Sequence, residues 1–71
     1  MLIFYIKTLN PKAHIDACSF ISYYRAEILE DKINDRRDEF YGLFLVNGHP
    51  ELYEMLSTFS SDIILEIPKN I

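Results

Sequence analysis

His14 and Cys18 stand four residues apart, a spacing that puts both on one face of a helix and lets them approach a common ion. Zinc takes three or four protein ligands, and the one other histidine, His49, is far along the chain. The pair therefore reads as a buried thiol beside an exposed imidazole. His49 precedes Pro50, and an imidazole with an ordinary pKa near ~6.5 is suited to acid–base work. No recognisable nucleophile accompanies it, so it reads as the entry residue of a helix in a Gly-His-Pro turn. Glu30, Asp31, Asp35, Asp38 and Glu39 gather between Lys32, Arg36 and Arg37. Their order is not the Asp-x-Asp-x-Asp-Gly of a calcium loop, and a solvated charged surface accounts for them. There is no phosphate-binding glycine loop, no cysteine pair and no nucleophile elbow. Metal-dependent nucleases on comparable folds carry an Asp at the end of the first strand, where Lys7 and Thr8 stand. The expectation is a protein without catalytic residues, metal or cofactor.

The elements that hold these side chains can be read from periodicity. Leu2-Ile3-Phe4-Tyr5-Ile6 is a short apolar run of branched and aromatic residues, the pattern of a strand buried on both faces. Asn10-Pro11 starts a helix, with Asn able to accept from an early backbone N–H and Pro losing no needed donor. Ala13, Ala17, Phe20, Ile21 and Tyr24 recur at helical spacing and define its inner face. Phe40 to Val46 is the second apolar run, closed by Asn47-Gly48, residues that tolerate positive φ. Pro50-Glu51 opens another helix, striped by Leu52, Met55, Leu56 and Phe59; Ser60-Ser61-Asp62 breaks it, and Ile63 to Ile67 forms a last strand.

Residues 25–38 admit two readings. Their helix propensity favours one long first helix and a βαβαβ chain. The cluster Asn34-Asp35-Arg36-Arg37 favours a polar edge strand, Ala26 to Ile33, that turns back into the next strand. The second reading gives an α+β, ferredoxin-like β-α-β-β-α-β sandwich spanning residues 1–71 as one domain, with two helices on one face of an antiparallel sheet. It is preferred because that topology makes the first and third strands central, and those carry the unbroken apolar runs.

Alternation along the strands then has a consequence. If Leu2, Phe4 and Ile6 face the helices, Ile3 and Tyr5 face away, joined by either Phe40, Phe44 and Val46 or Tyr41, Leu43 and Leu45. Either choice leaves the far side apolar, and soluble monomers rarely expose patches of more than a few hundred Å². A second copy related by a two-fold axis is the simplest cover.

Composition limits the partners. The chain has 71 residues, of which 49% are hydrophobic, enough for one core. A formal net charge of −4 disfavours phosphate backbones and suits solubility or a basic protein partner. The lone Cys18 excludes an internal disulfide, and the N-terminus lacks the pattern of a secretion signal, so a cytoplasmic location is expected. The apolar runs are far shorter than the ~20 residues of a membrane-spanning helix, so no membrane association is expected.

Phe4-Tyr5-Ile6-Lys7-Thr8-Leu9 resembles the first-strand motif of RNA-recognition-motif domains, and Glu39-Phe40-Tyr41-Gly42-Leu43-Phe44 resembles their third-strand motif. The resemblance implies a sheet whose exposed aromatics stack on bases, with Tyr5 and Tyr41 as platforms. It departs from the family at Glu39, where a basic residue is usual, at Phe40, where glycine is, and at Leu43, where a stacking aromatic is.

The leading expectation is a non-enzymatic protein–protein interaction module, a self-associating regulator or inhibitor of the kind viruses and mobile elements also make, with Ile3, Tyr5, Tyr41, Phe44 and Tyr53 as interface residues. The alternative is a regulatory domain that holds a small ligand where two such sandwiches meet, with backbone N–H groups of Asn47-Gly48 as donors.

Overall fold

Branched and aromatic side chains suit a pleated, half-buried surface, and the two runs richest in them form the inner strands of the sheet. The computed structural model describes residues 1–36 and 38–68. Its elements are β1 (Leu2–Thr8), α1 (Pro11–Tyr23), β2 (Glu27–Arg36), β3 (Glu39–Gly48), α2 (Pro50–Phe59) and β4 (Ile63–Glu66). The sheet runs in the order β2-β3-β1-β4 with every neighbouring pair antiparallel. This is the ferredoxin-like β-α-β-β-α-β arrangement, with both helices on one face.

Parity along β1 and β3 settles which side is which. Phe4, Ile6 and Thr8 of β1, and Phe44 and Val46 of β3, are buried toward the helices. They meet Ala13, Ala17 and Ile21 of α1, Leu52 and Leu56 of α2, and Ile63 of β4 in one core. Alanine at two turns of α1 lets that helix lie close to the sheet. Phe4 meets the edge of Tyr53 at 5.1 Å between ring centres, and Phe20 meets Phe59 at 4.8 Å, so aromatic pairs close the two flanks. Met55 and Phe59, expected in the inner stripe of α2, are half exposed, and Tyr53 takes the flanking position.

Asn10 caps α1 as its type suggests: Oδ1 accepts from the Ala13 N–H at 2.8 Å, while Nδ2 donates to Asp62 at 2.9 Å. The Leu9 N–H donates to the Asp62 carbonyl at 3.0 Å, so the loops entering α1 and β4 are tied together. His49 caps α2, its Nδ1 accepting from the Glu51 N–H at 3.2 Å. No helix among the described residues is long and apolar enough to cross a membrane.

The long-first-helix alternative is overturned by how α1 stops. The Ala26 N–H donates to the Ile21 carbonyl at 3.0 Å and the Arg25 N–H to that of Ser22 at 3.1 Å, the two bonds of a Schellman ending. Arg25 takes φ 54°, the left-handed region, and the chain leaves the helix there. Residues with fair helix propensity then pair with β3 along its whole length, Glu27 opposite Asn47 and Arg36 opposite Glu39. Tertiary pairing outweighs local preference. The strand is longer than expected because Asn34 to Arg36 join the ladder; Arg37, expected in the turn, lies outside the described residues. A bulge between Ile28 and Glu30 leaves Leu29 as the extra residue of β2. The last strand ends at Glu66, one residue before the expected Ile67.

Gly48 is not the positive-φ turn residue that Asn47-Gly48 suggested. It lies in β3, opposite Leu2, and no glycine has positive φ. A β-carbon there would come within 2.9 Å of Ala26 Cβ, so crowding at the strand end requires glycine.

The left-handed position at Arg25 lacks the residue that adopts it freely. Arg25→Gly is expected to stabilise the fold by about 0.5–1 kcal/mol, raising Tm by roughly 2–8 °C, measured by thermal and urea unfolding. Alanine at the same position should give no such gain.

Candidate functional site

Two helices cannot cover a four-stranded sheet evenly. Both pack over the β4 side, and α1 continues over β1 and β3. Between α1 and the inner-facing side of β2 an open groove of ≈ 770 Å³ remains. Helix α1 contributes His14, Ile15, Cys18, Ser19, Ser22 and Tyr23; β2 contributes Asp31 and Ile33; Phe44 forms the floor.

His14 organises this groove. The residue is 9% exposed, and its ring lies flat on Phe44, with 4.3 Å between ring centres and planes 13° apart, while Phe40 meets its edge. Its Nδ1 bonds the Thr8 hydroxyl at 2.8 Å, deep in the fold. Its Nε2 faces Asp31 Oδ1 at 3.6 Å, an ion-pair distance too long for a hydrogen bond. Both ring nitrogens therefore have a polar neighbour, the Thr8 hydroxyl at Nδ1 and the Asp31 carboxylate facing Nε2. Gly42, opposite Thr8 in the sheet, makes the arrangement possible, because a β-carbon there would collide with both His14 Nδ1 and Thr8 Oγ1.

A hydroxyl, an imidazole and a carboxylate in line invite comparison with a nucleophile relay. Here the hydroxyl belongs to a fully buried Thr8, which no substrate carbonyl can reach, so the line is a structural tie from β1 through α1 to β2. The expected partition of His14 and Cys18 is reversed: the imidazole is buried and the thiol exposed. The reason is rotational. His14, Ala17 and Ile21 form an i, i+3, i+7 stripe turned to the sheet, and Cys18 falls beside it. Among the described residues no group of three His, Cys, Asp or Glu side chains could hold a metal ion.

The sheet's other face is the second candidate surface. Ile3, Tyr5, Tyr41, Leu43, Leu45 and Ile64 share it, and Ile3 (46%), Ile64 (44%) and Tyr41 (41%) are the most exposed of them. Three of the expected interface residues, Ile3, Tyr5 and Tyr41, are thus brought together. Phe44 is not with them: at 1% exposure it lies under His14 on the helix side, because its parity is that of Gly42 and Val46. Tyr53 is half-buried against Phe4 on α2, also away from this face. Lys7 reaches across to Glu66 at 2.9 Å. That hydrogen bond and the carboxylate charge raise the Lys7 pKa above its ordinary 10.5. The contribution is therefore present through neutral pH and is lost only as pH rises through the raised value.

Tyr5 and Tyr41 lie where base-stacking platforms would. Yet their face sets Glu30 and Glu66 beside Lys7 and Lys32, and both lysines have a carboxylate within 4 Å, at 2.9 and 3.8 Å, so these two lysines, among the described residues, make no unpaired basic track along the tyrosines. The Asn47-Gly48 donors of the ligand-binding expectation are also absent from any surface turn. Asn47 is paired with Ile3 on one side and Glu27 on the other, and the sheet holds that backbone.

No family profile matches the sequence, and no curated protein is detectably similar to it. Among solved structures, the crystal structure of a formyltetrahydrofolate deformylase from Pseudomonas putida KT2440 is similar in fold, with a TM-score of 0.54 and 14% sequence identity. The likeness covers 96% of this chain and 28% of the deformylase, so the chain spans well under a third of that protein's length. At this identity the likeness extends to the fold alone.

Because the Thr8–His14 bond leaves no room beside Gly42, Gly42→Ala is expected to cost about 2–3 kcal/mol in urea unfolding. In a His14→Ala background the same change should cost distinctly less, and an undiminished cost there would show that the crowding lies elsewhere.

Proposed function

We propose that the chain is a small-ligand-binding regulatory domain, whose ligand has a positively charged or strongly donating head on an apolar body. The observation that carries this is the chemistry of the α1–β2 groove. Among the described residues, its floor and walls are aromatic and aliphatic, its hydroxyls come from Ser19, Ser22 and Tyr23, the carboxylate lining it is Asp31, and no lysine or arginine lines it. A few convergent polar groups on an apolar surface are how small-molecule sites achieve orientation and selectivity. An ammonium group beside Asp31 gains charge-assisted bonding; a phosphate or a lone carboxylate meets like charge.

The groove is also placed to transmit occupancy. Its two walls are different elements, α1 and the edge strand β2, joined across the gap by the loose His14–Asp31 contact. A ligand that touches both walls fixes the edge strand to the helix layer, and that change of rigidity is available to whatever β2 touches. The fold likeness is compatible with such a role, since a unit of this fold makes up 28% of the deformylase chain and thus serves within a larger protein there. The inhibitor reading of the acidic surface, and with it a viral or mobile-element setting, gains nothing from the fold or from the comparisons.

Thermal-shift titration with small amines, amino acids and nucleotides tests the reading. At ten times Kd a ligand adds RT ln 11, about 1.4 kcal/mol, which should raise Tm by roughly 6–11 °C in a domain of this size. The active compounds should be amines, and Asp31→Asn should weaken them about tenfold while leaving the fold intact. Cys18 lines the groove and is the one thiol, so its modification by a disulfide reagent should slow in step with binding. A panel that neither shifts Tm nor protects Cys18 at millimolar concentration would remove the proposal.

A further inference from the structure

We propose that the open face of the sheet joins a second copy of this chain, through a two-fold axis that lies between the two sheets and runs across the strands. The inference does not depend on the groove, which is on the opposite side.

The register arranges this face in rows across the strands. One row reads Lys32, Leu43, Lys7, Ile64, and the next reads Glu30, Leu45, Tyr5, Glu66. A basic row therefore lies directly beside an acidic one, each with apolar residues on the inner strands. Tyr41 stands beyond the basic row, and Ile3 with Asn47 beyond the acidic row.

Two identical faces can be closed by a two-fold axis in either of two principal directions. An axis along the strands sets each row on its own copy with the strand order reversed, so that Glu30 faces Glu66 while Lys32 faces Ile64 and Lys7 faces Leu43, with no opposite charge for either lysine. An axis across the strands, between the two rows, sets the basic row of one copy on the acidic row of the other. Lys32 then meets Glu30 of the second copy, Leu43 meets Leu45, and Lys7 lies over the ring of Tyr5, where a cation is welcome. Charge complementarity selects the second axis.

Size is consistent with a weak, specific dimer. Four strands at ~4.8 Å spacing and ~20 Å of length offer roughly 400 Å² in projection, and about 1,000 Å² over both copies once side-chain relief is counted. That is the low end of specific interfaces, so the dimer should form in the micromolar range.

Sedimentation velocity from about 5 to 500 µM tests it, with dissociation expected inside that window. Leu43→Lys should abolish the dimer while circular dichroism shows an intact fold; a folded Leu43→Lys dimer would place the interface elsewhere. Glu30→Lys and Lys32→Glu should each weaken association at least fivefold. Mixed in equal amounts, these two single variants should recover wild-type affinity as a heterodimer, because each then supplies the charge the other lacks. Pairing within one chain cannot produce that rescue. A wild-type monomer at the highest concentration overturns the proposal, as does a mixture that fails to recover, which would exclude the axis across the strands.

Discussion

The alternation of side chains along β1 and β3 obliges each inner strand to serve two environments, and everything else in the molecule follows from what is available to fill them. On one side Phe4, Ile6, Phe44 and Val46 are sealed by two helices. On the other, Tyr5, Leu43 and Leu45 are partly shielded only by neighbouring side chains of the same sheet. The helices are also too few to cover their own side to its edge, so β2 keeps an inner surface that no helix seals. The groove and the open face are two results of one shortage of covering elements in a short chain.

Much of this was legible in the residues. Asn10-Pro11 and His49-Pro50 mark both helix starts, because a side-chain acceptor and a proline needing no donor satisfy the same local geometry wherever the helix later packs. The inner strands were legible because unbroken apolar runs have few other uses. Residues 27–36 were legible only through topology: their charged composition is compatible with a helix, and the edge-strand reading rested on which strands could be central, as their pairing with β3 bears out. The parity of β3 was open, because Phe44 and Leu43 are equally apolar. What resolves it is Gly42, whose missing β-carbon is needed for the His14–Thr8 contact on the helix side, a relation that links residues far apart in sequence.

The groove was the least legible part. His14 lay in plain view on the i, i+3, i+7 stripe with Ala17 and Ile21, but an imidazole is ordinarily assigned to water and a thiol to the core. Burial of the ring is acceptable here because every polar atom of it has a neighbour: a hydroxyl on one nitrogen and a carboxylate facing the other. Cys18 is displaced outward by the same rotation. That the fold recurs at 14% identity in a deformylase indicates how little of this detail the architecture itself demands.

The two rims of the sheet bear on how copies of the chain can aggregate. β4 is only four residues long, and β2 carries charges and the Leu29 bulge, so neither offers a long flat ladder for backbone addition. Growth by strand addition, which has no natural end and leads toward fibrils, is blunted at both margins. Contact through the flat of the sheet is self-limiting instead, because each molecule has one such surface to give.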